Sequence, residues 1–93
     1  MSYPDSSLCP PDVRESLLRY VEHGIHPGGF LYAVLCNDLR ESVGRADENN
    51  LEALSHIVAY CYNKIPGRCW GSPARVAVWI ETCAERIAQE ATP

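Results

Sequence analysis

Apolar residues recur along this chain at three- and four-residue intervals, in four separate runs. Val13, Leu17, Tyr20 and Val21 form the first. Leu31, Val34, Leu35 and Leu39, continued by Ser42 with Phe30 at the entrance, form the second. Leu51, Leu54, Ile57, Val58, Cys61 and Ile65 form the third, and Val76, Trp79, Ile80, Cys83 and Ile87 the fourth. This spacing puts each set on one face of an α-helix. No segment alternates with the two-residue period of a strand; Tyr60-Cys61-Tyr62 continues the third helical run.

The punctuation between the runs sets the expected boundaries. Pro10-Pro11-Asp12 opens the first helix, because proline is tolerated in a first turn. Gly24 closes it, with His23 in the last turn, where a cation would complement the helix dipole. Ile25-His26-Pro27-Gly28-Gly29 is a connector, and Gly44 stops the second helix. Asp47 reads as an N-cap for the third, with Glu48 in its first turn. Pro66 ends the third, and Ser72-Pro73 starts the fourth as N-cap and first helical residue. The pattern predicts helices near 11–23, 29–43, 48–64 and 73–88, packed as an all-α bundle or orthogonal array of about four helices. Residues 1–9 read as a flexible N-terminal arm, 10–90 as a single helical domain and 91–93 as a tail. The expected core is Leu17, Val21, Leu31, Val34, Leu35, Leu39, Leu54, Ile57, Val58, Cys61, Val76, Trp79, Ile80 and Cys83.

At 93 residues the chain has room for one modest core. No apolar run approaches the ~18 residues of a membrane helix. Met1-Ser2-Tyr3-Pro4-Asp5 lacks the basic and apolar regions of a signal peptide, so the expected location is cytoplasmic. The five cysteines, at 9, 36, 61, 69 and 83, are odd in number and irregularly spaced. In a cytoplasmic chain they read as reduced thiols, several of them on apolar stripes.

The net charge of −4 argues against general nucleic-acid binding. Its distribution is more informative. Between Glu52 and Glu81 there is no acidic residue, and that stretch holds Lys64, Arg68 and Arg75. Trp70 and the helix start at Gly71-Ser72-Pro73 lie in the same stretch. A helix N-terminus offers unpaired N–H groups and partial positive charge, so Lys64, Arg68, Trp70, Gly71, Ser72 and Arg75 form a candidate corner for a phosphate or carboxylate. Trp70 reads equally as a staple on the helix it precedes and as a stacking platform for a ligand.

Other features carry less chemistry. Gly28-Gly29 precedes a helix and would let a ligand approach the backbone, or simply serve a tight turn. It matches neither a Walker loop nor a dinucleotide fingerprint. Asp38 falls on or beside the second stripe and, if buried, needs a partner such as Arg45, Arg68 or Arg75. That makes it a structural ion pair or a ligand-binding acid. His23, His26, His56 and Cys61 lack the spacing of a metal site. Cys69 adjoins Arg68, yet no base is positioned to make it a nucleophile. The residues imply no cofactor, no metal and no enzyme.

From Val13 to Ile80 the chain resembles a group of short proteins of proteobacterial phages and prophages. The resemblance rests on Gly24-Ile25-His26-Pro27-Gly28, Phe30-Leu31, Ala33-Val34-Leu35, Asn37-Asp38-Leu39 and Arg45-Ala46-Asp47. It continues through Ile57-Val58, Tyr62-Asn63, Pro66 and Cys69-Trp70-Gly71-Ser72-Pro73. It implies the host bacterial cytoplasm and an accessory role in infection or lysogeny. The expected function is non-enzymatic binding of a host protein, as by an anti-defence inhibitor. The alternative is a small-molecule binder that sequesters an anionic nucleotide signal. Homo-oligomerisation is compatible with the pattern and not specified by it. A protein target should leave an exposed apolar or aromatic patch; a nucleotide target should leave a pocket of converging N–H and Arg donors.

Overall fold

The computed structural model describes residues 6–90. Among them are six α-helices, two short 3-10 turns and no strand, so the fold is all-α. The helices are α1 (Pro11–His23), α2 (Gly29–Leu35), α3 (Leu39–Arg45), α4 (Glu48–Glu52), α5 (Leu54–Lys64) and α6 (Pro73–Glu90). The 3-10 turns are Ser6–Leu8 and Gly67–Cys69.

α1 begins and ends where its punctuation places it. Pro11 occupies the first turn, and Gly24 takes a left-handed conformation (φ 69°) while its N–H donates to the Tyr20 carbonyl at 2.8 Å. Glycine has a second reason to be there. A Cβ at this position would lie 2.7 Å from the Cys83 Cβ, so the bare backbone lets α1 approach α6.

The expected second helix is broken in two. Asn37 sits at φ 60°, its N–H donating to the Val34 carbonyl, and the Asp38 N–H reaches back to the Ala33 carbonyl. This is a Schellman ending with asparagine in the left-handed position usually held by glycine. Asp38 then starts α3, its carboxylate accepting from the Glu41 N–H at 3.1 Å. Three expectations change. Asp38 is an exposed N-cap, not a buried partner of an arginine. Leu39 is 72% exposed, not core. Gly44 lies inside α3, which runs on to Arg45 before Ala46 becomes extended. The buried residue of α3 is Ser42, whose hydroxyl donates to the Asp38 carbonyl at 2.6 Å.

The expected third helix also divides, at Ala53 (φ −88°, ψ 0°), into α4 and α5. Asp47 caps α4 by accepting from the Asn50 N–H at 2.7 Å. The count is therefore six helices rather than about four.

Ser6–Leu8 packs on α5, and Cys9 is buried. Residues 1–5 and the 91–93 tail lie outside the described residues.

Leu17, Tyr20, Leu35, Ile57, Cys61, Cys69, Val76 and Cys83 form the fully buried centre. All five cysteines are buried and free. Val21, Leu54, Val58, Trp79 and Ile80 are only partly buried around them. The molecule measures 46 × 25 × 23 Å. The residues of α6 from Ala84 to Glu90 are all exposed.

Candidate binding face

The loop between α5 and α6 is held from four directions. Pro66 turns the chain, and the Gly67–Cys69 turn closes with the Cys69 N–H donating to the Pro66 carbonyl at 2.9 Å. The Tyr20 hydroxyl, from the centre of α1, donates to the Cys69 carbonyl at 2.6 Å. Gly71 (φ 108°) donates its N–H to the Leu35 carbonyl at 2.7 Å, tying the loop to the end of α2. Ser72 caps α6 as its sequence predicts, its hydroxyl accepting from the Arg75 N–H at 3.2 Å.

The two arginines lie against their own chain. Arg75 Nη1 donates to the Gly67 carbonyl at 3.2 Å and the Trp70 carbonyl at 3.4 Å. A Cβ on Gly71 would come within 3.3 Å of that nitrogen. The Arg68 guanidinium stands 5.5 Å from the centroid of the Trp79 ring, a cation–π contact. Trp79 Nε1 in turn donates to the Tyr20 carbonyl at 3.1 Å. Arg68, Trp79, Tyr20 and Cys69 therefore form a closed ring of contacts. Carbonyls and an aromatic face orient the guanidinium groups without cancelling their charge. Among the described residues, no ion pair involves either arginine.

Trp70 is half-buried and meets Tyr62 edge-on, with centroids 5.2 Å apart. Tyr62 itself is 60% exposed. Two cavities run past this pair, and a third adjoins the second of them. One of about 110 Å³ lies between α3 and α5, walled by Leu39, Leu54, Val58, Tyr62 and Trp70, with Asp38 at its edge. The next, about 280 Å³, shares Asn37, Tyr62 and Trp70 with it and reaches Gly67 and Arg75. The third, about 580 Å³, shares Gly67 and Arg75 and extends to Arg68, Ala74 and Val78, which is 60% exposed.

The structure thus gathers Arg68, Trp70, Gly71, Ser72 and Arg75 around one loop, while Asp38 lines the cavity beside Leu39, Tyr62 and Trp70. Lys64 is exposed in the last turn of α5 and does not line the three cavities. Gly28 and Gly29 belong elsewhere. The Gly28 N–H donates to His26 Nδ1 at 3.1 Å, and the Arg45 guanidinium closes over Gly29, where a Cβ would lie 3.1 Å from Nη1. Arg45 is paired with Glu41 at 3.0 Å.

Sequence reasoning places Leu39 in the core and gives Tyr62 and Val78 no role; all three are exposed on this face. The signal for Leu39 was the run Asn37-Asp38-x-x-Glu41, a left-handed stop followed by an N-cap with its acidic third residue. Tyr62 follows Cys61 and so points away from the α5 core stripe.

Burial pushes the Cys69 thiol up, outweighing the lowering effect of Arg68. Burial raises Cys36 as well, and its hydrogen bond with Tyr32 raises the Tyr32 phenol. Cys61 is pushed up to about 12 by burial.

The chain is a small all-α protein whose α5–α6 loop gathers aromatic, aliphatic and basic side chains. Against protein families, curated proteins and solved structures, the chain has no match. No helix among the described residues is long and apolar enough to cross a membrane.

Proposed function

We propose that this chain is a non-enzymatic binding protein that engages a host-cell protein and modulates it, as a phage accessory or anti-defence protein does. The observation that carries the reading is the exposed apolar and aromatic face of Leu39, Tyr62 and Trp70 between α3, α5 and the α6 start. Exposed aromatic and aliphatic side chains clustered around a groove favour a protein contact. The nucleotide reading draws on the cavity beside Arg68 and Arg75. It is less well supported, because Arg75 turns its Nη1 toward loop carbonyls and Arg68 lies over Trp79, so the donors do not converge.

Native mass spectrometry of the chain purified from a proteobacterial host tests the choice. A co-purifying protein that is lost in a Leu39→Ala/Tyr62→Ala variant supports the reading. A nucleotide adduct retained in that variant, with no protein bound, refutes it.

A further inference from the structure

The three adjoining cavities differ in character along their length. At one end Leu39, Leu54, Val58 and Tyr62 offer apolar walls, and Asp38, the N-cap of α3, lines the same cavity. At the other end stand Arg75 and Arg68, each held by neutral groups of its own chain. The stretch from Ala53 to Ile80 supplies most of these walls and contains no acidic residue. Charge therefore runs in one direction, from negative beside the apolar end to positive beyond Trp70.

We propose that this trough binds a partner-protein segment in a fixed direction, an apolar side chain lying between Leu39 and Tyr62 and an acidic side chain following it past Trp70 onto Arg68. The inference rests on the protein-binding reading and deepens it by naming the chemistry of the partner. Charge complementarity selects the occupant. The exposed Arg68 guanidinium, which has no carboxylate partner among the described residues, is satisfied by one Asp or Glu, and Arg75 beside it adds positive charge. The opposite orientation would bring that acid beside Asp38, a like-charge contact that disfavours it. Orientation of Arg68 by Trp79 and of Arg75 by Gly67 and Trp70 also lowers the entropy lost on binding.

The test begins by panning a displayed library of random short peptides against the whole chain. Enriched peptides should carry an aliphatic or aromatic residue followed by Asp or Glu. For one such peptide, fluorescence anisotropy should show that Arg68→Gln weakens binding about two- to five-fold, the range expected of an exposed ion pair. Replacing the peptide's acid with its amide should cost a similar factor and add little in the Arg68→Gln background. Added salt should erase the difference. The trough's polarity is refuted if enriched peptides show no acidic preference, or if affinity is indifferent to Arg68→Gln and to salt. In either case a large loss on Tyr62→Ala leaves the protein-binding reading standing. If no peptide is enriched over an unrelated helical protein, or Tyr62→Ala changes nothing, both readings fall.

Discussion

Replacing Tyr20 with Phe removes one atom from the centre of the molecule and tests how the binding face is attached to the core. The hydroxyl is fully buried and donates at 2.6 Å to the Cys69 carbonyl, 49 residues away. Burial and the neighbouring thiols raise the phenol pKa, so the group remains a donor through the alkaline range. The ring itself stays, so packing changes little. The loss is that of a buried carbonyl's donor, which costs about 1–3 kcal/mol. For a domain of this size, each kcal/mol lowers Tm by roughly 4–8 °C. Trp79→Phe makes an instructive contrast. The carbonyl it deserts, that of Tyr20, still accepts from the Gly24 N–H. Its hydrogen-bond cost should therefore be nearer the net value of about 0.5–1.5 kcal/mol, in addition to lost ring contacts. Both residues belong to the contact ring that includes Arg68, so their effects should not add. Urea unfolding gives the energies, and hydrogen exchange gives the location: in Tyr20→Phe, the Cys69 and Gly71 amides should lose protection before those of α5. A Tyr20→Phe variant within about 0.3 kcal/mol of wild type would refute the reasoning, because no buried donor lost from a carbonyl is that cheap.

Leu35→Ala or Ile57→Ala should destabilise the protein by about 2–5 kcal/mol in urea unfolding, since both side chains are fully buried. Asp38→Ala should cost about 0.5–2 kcal/mol through the lost cap of α3, whereas its exposed neighbour in Leu39→Ala should change stability by under about 0.5 kcal/mol. Stability should fall as pH rises above about 9. The Cys61 thiol holds its proton up to about 12 when folded and releases it near 9 when unfolded, so between these values the native state binds more protons. The slope for this group is about 1.4 kcal/mol per pH unit, and a flat thermal-shift profile from pH 9 to 11 would contradict it. Because the five thiols are free, Tm should be unchanged by strong reductant.

Local signals and long-range contacts were not equally legible in the sequence. The limits of α1 and the start of α6 follow from Pro11, Gly24 and the Ser72-Pro73 pair, whose effects act within one turn. The second stripe misled for a physical reason. Leu35, Leu39 and Ser42 keep a helical interval across the break at Asn37, so periodicity alone reads through it. The cap chemistry of Asn37-Asp38-x-x-Glu41 outweighs the period, and Leu39 rotates out to solvent as the first residue of a new helix. In the candidate site, the Ser72 cap was visible. The inward turn of Arg75 was not, because its acceptors are backbone carbonyls five and eight residues earlier, placed by the fold of the loop. The partner of Tyr20 was invisible for the same reason, although the residue lies on the first stripe.

The final helix is set in place where it crosses α1. Its 18 residues span about 27 Å. The crossing lies at Cys83 against Gly24, reinforced by Arg86 Nη2 donating to the Glu22 carbonyl at 2.6 Å. A helix is a stiff rod, so a small change at this fulcrum is magnified along it. The methyl group of a Gly24→Ala variant would prise the two axes apart, and the distance between spin labels at Ala84 and on α1 would read the swing.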